Sequence, residues 1–160
     1  MNEETKIRQA LESAETIAVV GCSPNPARPS NDISRFLLEA GYRVVPVNPG
    51  HHEILGQPCY PSLAEIPAEI RIDIVDVFRR SDAVAAIAEQ AIARRVPFVF
   101  LQLGVVDAGA ARRLEENGIG VAMDRCILIE HRRLAIDSRS KSRNESPKNR
   151  VSSLSRHGTT

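Results

Sequence analysis

Five short segments rich in Val, Ile and Phe, separated by helical patterns, constrain the fold of this chain more than any other feature. The segments are TIAVVG (16–21), YRVVPVNP (42–49), RIDIVDVF (71–78), PFVFLQLG (97–104) and GIGVAMD (118–124). Three of them are nearly continuous in apolar character, which is typical of strands covered on both faces of a parallel sheet. We therefore predict the α/β class: a single Rossmann-like, doubly wound domain with a five-stranded parallel sheet.

Amphipathic helical patterns precede and separate these strands, and cap residues mark their ends. Gly41 and Gly118 follow predicted helices as stop residues, and the predicted N-caps are Ser30 or Asn31, Ser81 and Asp107. The connection 50–70 differs, because its three prolines leave room only for a short helix around 62–66. For the five segments in chain order we predict the strand order 3-2-1-4-5, with the switch point between the first and fourth strands.

The charges of the chain are unevenly distributed. From Arg132 onward there are eight Lys/Arg against two Asp/Glu, which leaves the first 131 residues with a net charge of −5 within a total of +1. The sequence after Asp137 is rich in Ser, Arg and Lys and has almost no large apolar residues. We predict a folded domain over 1–136 and a basic, disordered tail over 137–160.

The cysteines and the hydropathy bear on location. The N-terminus has no apolar signal core, and no apolar run approaches the roughly 18–20 residues of a membrane span. Cys22, Cys59 and Cys126 are odd in number, far apart and never in a C-x-x-C pair, so neither a disulfide framework nor a zinc site is indicated. We predict a cytoplasmic protein with reduced thiols and no membrane partner.

The loop after the first strand, GCSPNPARPSN (21–31), carries the most informative residues. Ligands of open parallel sheets bind beyond the carboxyl ends of the strands, near the switch point. Gly21 permits a tight turn there, the prolines fix the path of the loop, and a helix begins at its end. Backbone N–H groups at a helix N-terminus attract anions, and the Arg28 guanidinium suits a phosphate. The loop therefore predicts a phosphate site.

The second strand helps to choose among nucleotides. The dinucleotide fingerprint G-x-G-x-x-G is absent, because Ser23 and Pro26 stand where glycines would be required. The second strand ends in Val47-Asn48-Pro49, without the acidic residue that accepts the ribose hydroxyls of NAD. A neutral Asn48 is consistent with a ligand whose ribose carries a phosphate, which leaves coenzyme A and NADP as alternatives.

Motifs on successive strand ends resemble a known family. G-x-S-x-x-P-x-R-P-S, P-V-N-P, G-x-x-x-Y, D-V-F-R-R, L-Q-x-G and M-D-R-C follow one another in the order found in the small stand-alone CoA-binding proteins. These proteins share their fold with the CoA-binding domain of the succinyl-CoA synthetase α subunit. The resemblance covers about residues 5 to 131 and implies a five-stranded Rossmann-like domain that holds CoA across the strand ends.

The same resemblance implies which residues bind the cofactor. Those after the first strand would hold the pyrophosphate, and those after the second would line the nucleotide end. Those after the third would flank the adenine or its ribose phosphate, and those after the fourth would border the route of the pantetheine arm. The residues are Gly21, Cys22, Ser23, Arg28, Ser30, Asn48, Pro49, Phe78, Arg79, Gln102 and Gly104.

No catalytic arrangement can be argued from the sequence. Asp73 and Asp76 lie three apart on one strand, so they face opposite sides of the sheet, and His51-His52 has no spaced companions for a metal. We predict a non-enzymatic module that binds or senses CoA or an acyl-CoA. The alternative is an NADP-dependent reductase or another nucleotide-cofactor enzyme that uses the same cleft.

Two further hypotheses concern reactivity and partners. Cys22 lies in the phosphate loop near a helix N-terminus, where a lowered pKa would allow a mixed disulfide with CoA. A nucleic-acid role for the basic tail is disfavoured, because no aromatic residues are interleaved with its charges. An unidentified protein partner or a homo-oligomer stays open.

Overall fold

A computed structural model describes residues 1–137, so the predicted tail lies outside the described residues apart from Asp137. The helices are α1 (Glu3–Ser13), α2 (Pro29–Glu39), α3 (Val84–Ala93), α4 (Ala108–Glu116) and α5 (Ile127–Arg133). The strands are β1 (Thr16–Val20), β2 (Arg43–Val47), β3 (Glu53–Ile54), β4 (Gln57–Pro58), β5 (Ile74–Val77), β6 (Phe98–Leu101) and β7 (Gly120–Met123). Two 3-10 turns lie at Leu63–Glu65 and Ser81–Ala83.

The five predicted strands are β1, β2, β5, β6 and β7, and they form one parallel sheet with the order β2-β1-β5-β6-β7. β3 and β4 form a separate antiparallel ribbon. The register of the five parallel strands places Val20, Val47, Val77, Leu101 and Met123 at one level, so the carboxyl ends of these strands meet at one edge of the sheet. The predicted Rossmann-like α/β fold is confirmed.

The predicted strand order is wrong in one respect. β5, the third of the predicted strands, pairs with β1 and not with the outer edge of β2. That outer edge is taken by Tyr60, whose N–H donates to Pro46 (3.2 Å) and whose carbonyl accepts from Asn48 N (2.9 Å). The switch point therefore lies between β1 and β5, which brings the loops after these two strands side by side.

The sheet is covered on both faces. α1, α2 and α5 pack on one face, where Ile7, Leu37 and Ile127 are fully buried. α3, α4 and the turn at Leu63–Glu65 pack on the other face, where Leu114 is fully buried. This two-sided burial is the reason why the strands are apolar without alternation.

The helix ends agree with the sequence predictions only in part. Asp107 caps α4 as predicted, since its carboxylate accepts from Ala110 N (3.0 Å). α2 begins at Pro29 with Arg28 as N-cap, two residues before Ser30, because proline is favourable in the first turn. Ser81 does not cap α3, and its hydroxyl instead accepts from Val106 N (2.9 Å).

Candidate functional site

The predicted site residues all lie at or beyond the carboxyl ends of four strands. Gly21 to Ser30 follow β1, Asn48 and Pro49 follow β2, Phe78 and Arg79 follow β5, and Gln102 and Gly104 follow β6. The structure joins the first three groups by direct contacts, apart from Pro49, which is exposed beyond β2 and takes no part in them. Gln102 and Gly104 lie one strand further along the same edge.

Gly21 is the point where the loops after β1, β2 and β5 converge. Its N–H donates to Val47 O (2.9 Å), and its φ is +87°. A Cβ at this position would collide with the carbonyl oxygen of Phe78 and would lie 3.0 Å from Cδ of Arg79. Only glycine allows both this backbone conformation and this close approach. The turn therefore sets the spacing between the β1 loop and the start of the β5 loop.

Side chains of the loop itself hold its shape. Ser23 N donates to Ser30 Oγ (3.0 Å), and Asn31 Nδ2 donates to Ser23 O (2.9 Å). Asn25 Oδ1 accepts from Ala27 N (3.0 Å), which closes a tight turn between two prolines. Asn48 Nδ2 donates to the carbonyl of Cys22 (3.0 Å), so the end of β2 supports the loop. The loop is thus held in shape by its own hydrogen bonds and by one from the end of β2.

Two cations follow the adjacent strands β1 and β5 near the first turn of α2. The N–H groups of Cys22 and Ser30 in the same loop make no backbone–backbone hydrogen bond within residues 1–137, and both residues are buried. The guanidinium groups of Arg28 and Arg79 are exposed and have no acidic partner in the same described part of the chain. Two exposed cations at adjacent strand ends, beside the N-terminus of α2, form an electropositive site suited to a phosphate-containing ligand.

A buried acceptor lies at the end of β6. Gln102 is 9% exposed, and its Oε1 atom has no hydrogen-bond partner among the described residues. An unpaired buried amide oxygen costs free energy unless a ligand or a water donates to it. Gly104, with φ +83°, donates to Asp124 Oδ1 (2.7 Å), which connects this loop to the end of β7.

Among the described residues, burial is the main cause of the pKa shifts at cysteine, aspartate and histidine side chains. Burial raises the pKa of the Cys22 thiol, whose Sγ lies 3.5 Å from Ser34 Oγ beneath the loop. The hypothesis of a lowered Cys22 pKa is therefore wrong, because the loss of solvation on burial outweighs the hydrogen bond with Ser34 that favours the thiolate. Burial also raises the pKa of Asp76 and lowers that of His131, which packs edge-on against Phe36.

The structure also bears on an acid/base pair, a metal site and a membrane helix. Asp73 accepts from Glu15 N and Thr16 N (3.0 Å each), while Asp76 is buried in the sheet, so the two do not form an acid/base pair. Residues 1–137 contain no group of three His, Cys, Asp or Glu side chains that could hold a metal ion. In the same residues, no helix is both long and apolar enough to cross a membrane.

Sequence reasoning missed four residues whose side chains hold the loops of the candidate site in place. Asn25 and Asn31 shape the phosphate loop, and Asp124 and Ser81 hold the loop after β6. For Asn25 a signal existed, because asparagine followed by proline favours a turn of this kind. For the other three no local signal existed, since their partners lie at least eight positions away in the sequence.

These strand ends, with helices on both faces of the sheet, define a Rossmann-like α/β domain. The model of the CoA binding domain family matches residues 15–132 of the chain. The chain belongs to this family. It is 40% identical over 128 residues to the uncharacterized protein YneT of Bacillus subtilis, covering 80% of this chain and 93% of YneT.

Two further relatives extend the comparison. A solved structure of a hypothetical protein from Pyrococcus horikoshii OT3 is 38% identical, with a TM-score of 0.79, and the match covers 84% of this chain and 93% of the other. Acetate–CoA ligase (ADP-forming) I of Archaeoglobus fulgidus is 40% identical over 63 residues, which are 39% of this chain and 9% of the ligase. This chain is thus similar to stand-alone proteins over most of its length, and to a much larger ligase over one segment.

Proposed function

We propose that this protein binds coenzyme A, free or acylated, at the carboxyl edge of its sheet and acts as a binding or sensing module without a reaction of its own. The observation that carries the proposal is the pair of exposed guanidinium groups, Arg28 and Arg79, which have no acidic partner within residues 1–137 and follow the adjacent strands β1 and β5. CoA presents a pyrophosphate and a ribose phosphate, which need this density of donors. Membership of the CoA binding domain family supports the same ligand.

The remaining predicted residues fit different parts of the cofactor. In this proposal the loop shaped by Ser23 and Ser30 holds the pyrophosphate, and Asn48 with Pro49 lines the nucleotide end. Phe78 is half-buried, so part of its ring is available for the adenine. Gln102 Oε1 accepts a hydrogen bond from an amide N–H of the pantetheine arm, next to the loop at Gly104, which would satisfy its buried acceptor.

The proposal also states that the protein catalyses no reaction of its own. It is supported by the position of the nucleophile candidate in the loop, Cys22, whose thiol is buried beneath the loop and whose pKa is raised. A cytoplasmic location belongs to the same proposal. Its support is that Cys22, Cys59 and Cys126 are all free thiols, as expected in a reducing compartment.

Calorimetric titration tests the ligand. We expect the protein to bind CoA, to bind dephospho-CoA more weakly, and to show no comparable affinity for NAD or NADP. Arg28→Ala removes a charge-assisted contact and should weaken CoA binding about tenfold or more. The matched control is Arg43→Ala, because Arg43 is exposed and has no ion pair with any residue of 1–137, but lies at the amino end of β2, on the opposite edge of the sheet.

Two other outcomes of these titrations would contradict the proposal. Binding of NADP with no binding of CoA would overturn the proposal and favour the reductase that shares this cleft. Equal losses of CoA affinity in Arg28→Ala and Arg43→Ala would show that the general charge of the surface, and not the loop after β1, binds the ligand.

A further inference from the structure

The loop between β6 and α4 presents two large apolar side chains to solvent. Leu103 is 54% exposed and Val106 is 49% exposed. Among the described residues, the other exposed large apolar side chains are Met1, which precedes α1, and Ile129 on α5. Single exposed apolar residues are common on protein surfaces, but two within four positions beside a candidate ligand site suggest a contact surface.

This exposure does not come from a loosely held loop. Gly104 N donates to Asp124 Oδ1 (2.7 Å), Val105 N to Gln102 O (2.8 Å) and Val106 N to Ser81 Oγ (2.9 Å). The side chain of Val105, between the two exposed residues, is buried in the core. The loop is therefore attached to the ends of β5, β6 and β7, and its apolar side chains stay at the surface because the backbone is fixed.

The position of this loop relates it to the cofactor site. β6 is the second strand from β1, so at about 4.8 Å per strand it lies about 10 Å from β1, the strand that the phosphate loop follows. Leu103 directly follows Gln102, whose buried Oε1 has no partner within residues 1–137. In the CoA site proposed above, a pantetheine arm that runs from the phosphate loop past Gln102 would bring its sulfur end toward Leu103 and Val106.

We propose that Leu103 and Val106 contact the acyl chain of an acyl-CoA, so that the protein prefers a short aliphatic acyl-CoA to free CoA. The proposal rests on the CoA site proposed above and adds the class of acyl group. The contact surface consists of two side chains, whereas a stable protein interface buries about 800 Å² on each partner. A short hydrocarbon chain therefore fits this surface better than a protein does.

A chain-length series tests the preference. The dissociation constants of the full-length protein for CoA, acetyl-CoA, butanoyl-CoA and hexanoyl-CoA are measured by calorimetry. We expect each added methylene group to tighten binding by about twofold to fourfold, and hexanoyl-CoA to bind at least about tenfold more tightly than acetyl-CoA. The double variant Leu103→Ser/Val106→Ser should bind free CoA as the unmodified protein does and lose the dependence on chain length.

Ile129→Ser is the matched control, since Ile129 is 50% exposed but lies on α5. This variant should keep the full dependence on chain length. If the unmodified protein binds CoA and all thioesters equally, or if the double variant keeps the dependence, the acyl proposal is overturned while the CoA site stands. If neither CoA nor any thioester binds, the CoA site and the acyl proposal both fail, and that result differs visibly from a flat series.

Discussion

Two single residues stand out at opposite ends of the energy scale. Gly21 cannot be replaced without a steric clash, and Asp76 lowers the stability of the fold because its carboxyl group is buried. Gly21 combines a positive φ with a backbone contact that excludes any side chain. Asp76 lies between Val19 and Phe100 in neighbouring strands, is completely buried, and has no hydrogen-bond partner for either carboxyl oxygen in the described chain. The first residue could be anticipated from its place after a strand, whereas the burial of the second could not.

The two causes at Gly21 can be separated by comparison with Gly56. Gly56 also has a positive φ, +72°, but a Cβ there would have no neighbour within 4 Å. Gly56→Ala should lower the free energy of unfolding by about 1 kcal/mol, the cost of the left-handed conformation. Gly21→Ala should lower it by about 2 kcal/mol more, and should weaken CoA binding by displacing Phe78. Urea unfolding and calorimetry measure these effects, and equal losses in the two variants would argue against the close contact.

Asp76 predicts a dependence of stability on pH. Burial raises its pKa well above the usual value of 3.8. As the pH rises above about 4, the unfolded chain loses this proton and the folded chain keeps it, so this group lowers stability with increasing pH. Asp76→Val should raise the free energy of unfolding at pH 7 by about 1–3 kcal/mol, and the gain should shrink toward pH 4. Urea unfolding at several pH values tests this, and a loss of stability throughout would imply a partner for the carboxyl group.

At the next level of organisation, Glu130 connects two helices that are distant in sequence. It is 5% exposed and accepts from Arg125 (3.2 Å) and Arg133 (2.7 Å). The same two arginines reach Glu3 (2.8 Å) and Glu4 (2.7 Å) at the start of α1. Because Glu130 is the shared carboxylate, the network attaches α5 to α1 and the loop after β7.

Removal of Glu130 tests whether this network stabilises the fold. Glu130→Ala leaves two arginines without their common acceptor and should lower the free energy of unfolding by about 2 kcal/mol. Glu89→Ala is the control, since Glu89 also pairs with an arginine, Arg113 (2.8 Å), but on the exposed surface. That variant should change stability little, because exposed ion pairs contribute little. If both variants have the same effect in urea unfolding, burial does not strengthen the network.

The elements themselves were largely predictable. The five apolar segments each became a strand of the main sheet, and the cap at Asp107 was read correctly. These predictions succeeded because the signals are local: a run of apolar residues covered on both sides, or a carboxylate three positions before a free N–H. α2 begins earlier than predicted, because Pro29 is favourable at the first helical position and Arg28 therefore becomes the N-cap in place of Ser30 or Asn31.

Across the complete domain, the site residues follow from the strands, since the carboxyl ends of parallel strands meet at one edge. Their placement at this edge was therefore predictable, while the phosphate-binding role of the loop after β1 stays a prediction. That Arg28 and Gln102 Oε1 have no partner within residues 1–137 was not predictable, because it depends on which residues of other loops lie within reach. The orientation of the Cys22 thiol was also not predictable from the sequence, since it points inward to Ser34 and not toward the candidate site.

The amino-acid pattern was sufficient for the fold class, the positions of the strands and the loop that closes on α2, because periodicity, turn residues and caps act over a few positions. The strand order, the burial of Asp76 and Cys22 and the support of the loop by Asp124 and Ser81 came from contacts between distant parts of the chain. Tyr60 is the clearest case: it covers the edge of β2 and so leaves β1 as the partner for β5. Such competition for one edge depends on the folded arrangement, and no local signal encodes it.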